Sequence, residues 1–296
     1  MSASLVGPLL ILCASLLFST GGTAIKLTSF SAWQVACLRS SVAFVFLALL
    51  RPAWRSSVQP RVLLVAAPYA ALLVLFVSSN KLTTAANAIF LQSTSLLWVL
   101  LLGPLLLQER PYARDLGFGA AIALGMGLLF FGGDPPVHTA PNPAAGNALG
   151  AFAGLMSGLS LLGLRWLAGT SGLRGPVLAD TALVGASLLS ALACAPLAFP
   201  IGSHPLSDWL VVLYLGVFQM GLAFLCMARG LQRLTAIEAA LLMLLEPVLS
   251  LGWAWLVHDE QPTAVSLTGC VLILCATVGR ALSSMRRVRA PRPTGS

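Results

Sequence analysis

The chain has 296 residues, of which 58% are apolar and 9% charged, and it carries a net charge of +8. Soluble domains hold roughly 45–50% apolar and about 25% charged residues. These figures, with a mean hydropathy of +0.91, exclude a soluble enzyme, a secreted disulfide scaffold and a disordered tail, and they point to an all-α polytopic membrane protein.

Apolar runs fall, in chain order, at 7–25, 33–50, 62–79, 84–107, 114–132, 147–168, 177–199, 209–228, 235–257 and 264–283. Each is long enough, or nearly so, to cross about 30 Å of hydrocarbon at 1.5 Å per residue. Ten spans of about 20 residues leave only short loops. The first run has no Lys or Arg before it and no clear small-residue cleavage site, so it reads as a retained span. A Pro- and Gly-rich linker, 133–146, separates two sets of five runs, and 284–296 forms a basic tail.

Lys and Arg alternate by side. Arg51, Arg55, Arg61, Arg110, Arg114, Arg165, Arg174, Arg229 and Arg233 collect on one side, with Arg280, Arg286, Arg287, Arg289 and Arg292 at the C-terminal end. The opposite side has Lys26 and Lys81, and Arg39 lies within a run. Fourteen against two places both termini in the cytoplasm. Because the basic residues are dispersed rather than gathered in a patch, they predict no nucleic-acid partner.

The segment Thr84–Leu116 aligns without gaps with Thr235–Leu267. Thr84, Ala85, Ala88, Leu91, Glu109, Pro111 and Leu116 match Thr235, Ala236, Ala239, Leu242, Glu260, Pro262 and Leu267. A weaker match pairs Gly7, Leu10, Ala14 and Leu16 with Gly146, Leu149, Ala153 and Leu155. A unit of five helices is odd, so the second enters from the opposite side: an inverted repeat, 1–132 and 147–283, of the kind many secondary transporters use.

The same residues carry a family resemblance. "TTAANAIFLQSTSLLWVLLLGPLLLQERP" and "TAIEAALLMLLEPVLSLGWAWLVHDEQP" resemble the fourth and ninth helices of EamA-type proteins of the drug/metabolite transporter superfamily. "LLFSTGGTAIKL" and "LRSSVAF" resemble the first and second helices. The resemblance implies ten helices in two inverted halves and transport of small metabolites, often export. It assigns Phe18 and Ser19 to the cavity. Many members have Trp-Gly there, and Pro where Leu96 stands.

Ionisable residues inside a bilayer cost about 2.5–3.5 kcal/mol on insertion scales, so each needs a partner, a wet cavity or a proton. Glu246 lies near the middle of the ninth run and precedes Pro247. Proline frees a carbonyl one turn back. An acid beside a broken helix suits a substrate amine or a coupling proton; it also suits a structural pair. Arg39 either snorkels or anchors a substrate carboxylate or a neighbouring helix. Gln92 and Gln219 suit a polar substrate or a helix–helix tie. Glu109 and Glu260 each precede a proline by two residues and read as caps on the next helix, with a contact from Glu260 to Lys26 or Lys81 open. Gly146, Gly150, Gly154 and Gly158 form a stripe for close helix packing or for sliding. Ser157 and Ser160 lie beside it, and Ser157 is a substrate-binding candidate.

Cys13, Cys37, Cys194, Cys226, Cys270 and Cys275 all lie in apolar runs, with no CxxC and no adjacent His, and read as packing residues. There is no phosphate loop, GxSxG or HExxH, and His138, His204 and His258 fall in outward loops, so no cofactor, metal or catalytic centre is expected. The expected function is secondary transport across a bacterial inner membrane by alternating access, as an exporter of amino acids or related amphipathic compounds. Glu246 is the site of any proton coupling. The expected partners are the lipid bilayer, a small-molecule substrate and protons, and the expected unit is a monomer, with a dimer left open. A channel-like facilitator and an intramembrane enzyme are the alternatives.

Overall fold

A computed structural model describes residues 6–106, 113–131, 136–171, 175–231, 233, 242–243 and 245–289. The described chain is helical, with one isolated β-bridge between Val137 and Ala140. The helices are α1 (Val6–Ser19), α2 (Gly21–Lys26), α3 (Ala32–Leu50), α4 (Pro60–Leu82), α5 (Ala85–Ser93), α6 (Ser95–Leu106), α7 (Ala113–Phe131), α8 (Pro143–Ser171), α9 (Gly175–Ala198), α10 (Leu206–Tyr214), α11 (Ala223–Leu231), α12 (Leu245–His258) and α13 (Ala264–Arg289). A π-helical segment, Leu215–Leu222, joins α10 to α11.

Seven helical stretches are long and apolar enough to cross a membrane: 6–26, 32–50, 60–82, 85–106, 143–167, 175–198 and 206–230. Leu116–Phe131 and Ala264–Gly279 are shorter apolar helices. The protein is therefore a multi-pass membrane protein. Its outside is apolar, as lipid contact requires: Leu64, Leu105, Phe131 and Leu256 are all largely exposed.

Local chemistry sets the helix ends. Ser31 and Gln34 form a reciprocal capping box at the start of α3. Pro60 opens α4 at a position where its missing N–H costs nothing. Thr84 caps α5 by accepting from the Asn87 N–H. Helix α8 begins at Pro143, ahead of the expected 147, because Asn142 accepts from the Ala145 N–H and stops the linker there. Helix α13 runs to Arg289, past the expected 283, because Arg and Met favour a helix about as well as Leu does. Of the expected run 235–257, residues 235–241 and 244 lie outside the described residues; α12 covers its second part.

Helix α8 packs on α4, α5 and α6, α3 packs on α9, α7 on α13 and α1 on α11. The stripe on α8 makes that packing possible. A Cβ on Gly154 would stand 2.6 Å from the Leu91 carbonyl oxygen and 2.6 Å from Thr94 Oγ1, and one on Gly158 would stand 2.8 Å from Trp98 Cβ. Gly150 meets Ser79 and Leu91 at 3.0–3.1 Å. Only glycine lets the two backbones come this close. The buried core gathers Phe30, Phe76, Phe90, Leu91 and Leu215 on one side and Leu47, Leu73, Met220 and Phe224 on another.

Candidate substrate-binding site

Three membrane-spanning stretches carry a local irregularity, and candidate side chains lie at or beside each one. Helices α1 and α2 are separated at Thr20, immediately after Phe18 and Ser19. Helices α5 and α6 are separated at Thr94, after Gln92, where the Thr94 hydroxyl donates to the Leu91 carbonyl. Gln219 lies inside the π-helical segment. Glu246 and Pro247 lie within α12. Irregular backbone of this kind is tolerated at membrane depth only where protein or a cavity satisfies it, and π-turns often mark functional sites.

Phe18, Gln92, Gln219 and Glu246 converge on one cavity of about 60 Å³, which Arg39, Tyr69, Phe76 and Phe224 also line. Phe18 and Phe224 meet edge to face at 5.4 Å, and Tyr69 lies 5.7 Å from Phe224. Arg39 is 1% exposed, so it does not snorkel. Its Nη2 donates to the Leu73 carbonyl at 2.9 Å, and its guanidinium carbon lies 6.0 Å from the Phe76 ring centre. Arg39 Nε, Gln92 Oε1 and Gln219 Oε1 are buried with no hydrogen-bond partner among the described residues. No described residue forms a salt bridge or hydrogen bond with Glu246. Buried polar atoms are almost always paired, so these atoms retain the capacity to hydrogen-bond a group placed in the cavity.

Ser19 and Ser157 do not line this cavity. Ser19 is fully buried; it donates to the Leu16 carbonyl and accepts from Trp253 Nε1 at 3.1 Å, while Ser250 donates to the Ser19 carbonyl. Its neighbours in the bundle claim it before any substrate can. Ser157 projects from α8, which packs on α4, α5 and α6 and contributes no residue to the cavity lining. The Ser15 hydroxyl donates to the carbonyl of Leu242, one residue before the carbonyl that Pro247 was expected to free. Tyr69, Phe76 and Phe224 were not singled out from the sequence. Tyr69 follows Pro68 inside α4, and that pairing of a proline and a phenol within an apolar run was the available signal.

A larger groove, about 630 Å³, lies on the other face of α4 against α8. Leu64, Pro68, Leu106, Met156 and Leu162 dominate it. It offers almost nothing to orient a polar metabolite, whereas polar side chains line the small cavity.

At the end of the bundle that carries the 133–146 linker, Lys26 Nζ lies 2.6 Å from Glu260 Oε1, and both side chains are 2% exposed. Lys26 also donates to the carbonyls of Thr83, at 2.7 Å, and Thr139. Glu260 Oε2 accepts from the Ala85 N–H at 2.8 Å. Glu260 was expected to cap the helix after it. Instead it caps α5, because Asp259, at φ 53°, turns the chain and swings the carboxylate back across the bundle. Glu109 lies outside the described residues. Arg51 and Asp180 form a half-exposed pair at 3.4 Å. All six cysteines are free, and the described residues hold no cluster of metal-ligating side chains.

The sequence matches the EamA-like transporter family over residues 5–131 and again over 146–280. A solved protein crystal structure aligns with 96% of this chain and all of its own, with a TM-score of 0.62 at 20% identity, a likeness of fold. No curated protein sequence matches.

Proposed function

The chain belongs to the EamA-like transporter family, and from that membership we propose that it is a secondary carrier of small amphipathic metabolites. Its substrates are amino acids or related zwitterions, moved outward across a bacterial inner membrane. Two inverted halves of five helices each, ten spans in all, rock about the cavity between them. Both termini lie in the cytoplasm, in keeping with the strong asymmetry of Arg and Lys between alternate loops, and the linker end faces outward.

One observation carries the substrate reading: Arg39 and Glu246, of opposite charge, line the same cavity. A substrate carboxylate takes the unpaired Arg39 Nε in a charge-assisted hydrogen bond. A substrate ammonium takes Glu246. The unpaired Gln92 and Gln219 oxygens accept the remaining N–H groups, and Phe18, Phe76 and Phe224 pack on the apolar part. When no ammonium is present, Glu246 is neutralised by a proton, which gives a route to proton antiport. Each occupant of the carboxylate excludes the other.

A cavity of about 60 Å³ holds a few waters and is smaller than any metabolite. The helices must part to admit substrate, which favours a carrier over an open channel.

The test is counterflow in proteoliposomes with labelled amino acids, purines and sugars, with and without a pH gradient. Saturable counterflow of zwitterions alone, driven by the gradient and uncoupled from it in Glu246→Gln, is the expected result. Flux that neither saturates nor shows counterflow would establish a channel. Wild-type gradient response in a folded Glu246→Gln protein would remove Glu246 as the coupling site.

A further inference from the structure

The Lys26–Glu260 pair is not part of the cavity, yet every contact it makes bears on whether the cavity is sealed. Lys26 ends α2, Thr83 and Ala85 flank the corner between α4 and α5, Thr139 belongs to the linker, and Glu260 follows α12. Lys26, Thr83 and Ala85 lie in the first family match, Glu260 in the second and Thr139 between them. A single buried ion pair therefore ties the two matched segments and the linker together at one end of the bundle.

We infer that Lys26 and Glu260 are the latch of the outer gate, closed in this structure and broken when the carrier opens outward. The inference rests on the alternating-access reading above. Three features support it. The first is reach. Glu260 grips the N-terminus of α5, and α5 carries Gln92. Lys26 ends α2, whose first residue Gly21 abuts the Gln219 amide, while Gly22 abuts Asn80 and Ala85. Moving either charge moves a cavity wall.

The second is reversibility. Two charges buried together gain little over apolar packing, because their attraction is largely offset by lost hydration. When the end opens, water restores that hydration. An ionic latch thus keeps closed and open states close in free energy, whereas an apolar plug would be penalised on exposure.

The third is that two contacts beside the latch are single hydrogen bonds to backbone carbonyls. His258 Nε2 donates to the Thr23 carbonyl at 3.0 Å, one turn inside Lys26 on the same helix. The Asn142 N–H donates to the Leu82 carbonyl at 3.0 Å.

The reporter is Thr23→Cys, a small change at a side chain that is 6% exposed and whose hydroxyl has no partner among the described residues. The purified protein in liposomes is treated with a membrane-impermeant maleimide on each face separately, and labelling of the parent cysteines is subtracted. In the Thr23→Cys protein, labelling from the linker face should be slow. Adding Glu260→Gln should raise it at least tenfold from that face only, with elution and melting profiles still those of a folded protein. Equal rates in the two proteins would overturn the latch. Should Glu260→Gln fail to fold, Glu260→Asp decides by the same criterion, since losing one methylene also breaks the reach to Lys26. Faster labelling without counterflow of any substrate would leave the latch standing and overturn the transport reading. Normal counterflow with unchanged labelling would overturn the latch alone.

Discussion

Gly21 sits so close to Gln219 that a Cβ on the glycine would stand 2.6 Å from the glutamine amide nitrogen. The bare backbone after the Thr20 interruption is what lets the amide reach the cavity. Gly21→Ala should push Gln219 out of position. The displaced atom is the end of a flexible side chain, so the fold should survive. The expected outcome is a rise in KM of about tenfold, as the loss of one hydrogen bond implies, with little change in melting temperature. An unchanged KM would show that Gln219 does not touch substrate.

Arg39 is expected to distinguish carboxylates. Arg39→Met removes a charge-assisted hydrogen bond worth about 1.5–3 kcal/mol, so kcat/KM for a zwitterion should fall about 10- to 100-fold. An amine lacking the carboxylate should lose much less. Arg39→Lys keeps the charge but not the planar fork and should fall between. The measurement is initial counterflow rate against concentration for the paired substrates. Equal losses for both would assign Arg39 to the fold, through its bond to the Leu73 carbonyl.

Ser19 gives the opposite pattern. Ser19→Ala leaves the Trp253 indole N–H without its acceptor, and an unpaired buried donor costs about 1–3 kcal/mol. Thermal stability in detergent should fall while KM stays at the wild-type value. A raised KM at unchanged stability would return Ser19 to the cavity.

Gly154→Ala tests the close approach of α8. The new methyl would meet the Leu91 carbonyl oxygen and the Thr94 hydroxyl, both at 2.6 Å, and the carbonyl belongs to backbone that cannot rotate away. Overpacking of this kind costs typically about 1–3 kcal/mol. A lower melting temperature is expected, and the same substitution at Gly127, which has nothing within 4 Å, should leave it unchanged.

The amino-acid sequence by itself determined the helical membrane class and the two-part organisation. Both follow from one-dimensional quantities. Crossing lipid demands long apolar runs with internally satisfied backbones, and two homologous segments show as a repeat. The sequence also singled out Gln92, Gln219 and Glu246, because a polar side chain inside an apolar run is visible without coordinates, and Phe18, through the family resemblance of the first run. What it did not determine was which side chains share a space. Arg39 had two readings until burial at 1% exposure removed snorkelling. Tyr69, Phe76 and Phe224 look like ordinary span residues until α4 and α11 are placed around the cavity. Glu260 read as a cap on its own hairpin, and only the turn at Asp259 directs it to α5 and Lys26. Helix packing decides these matters, since residues separated by more than two hundred positions meet only when the bundle closes, and no local pattern records which face of a helix meets which neighbour.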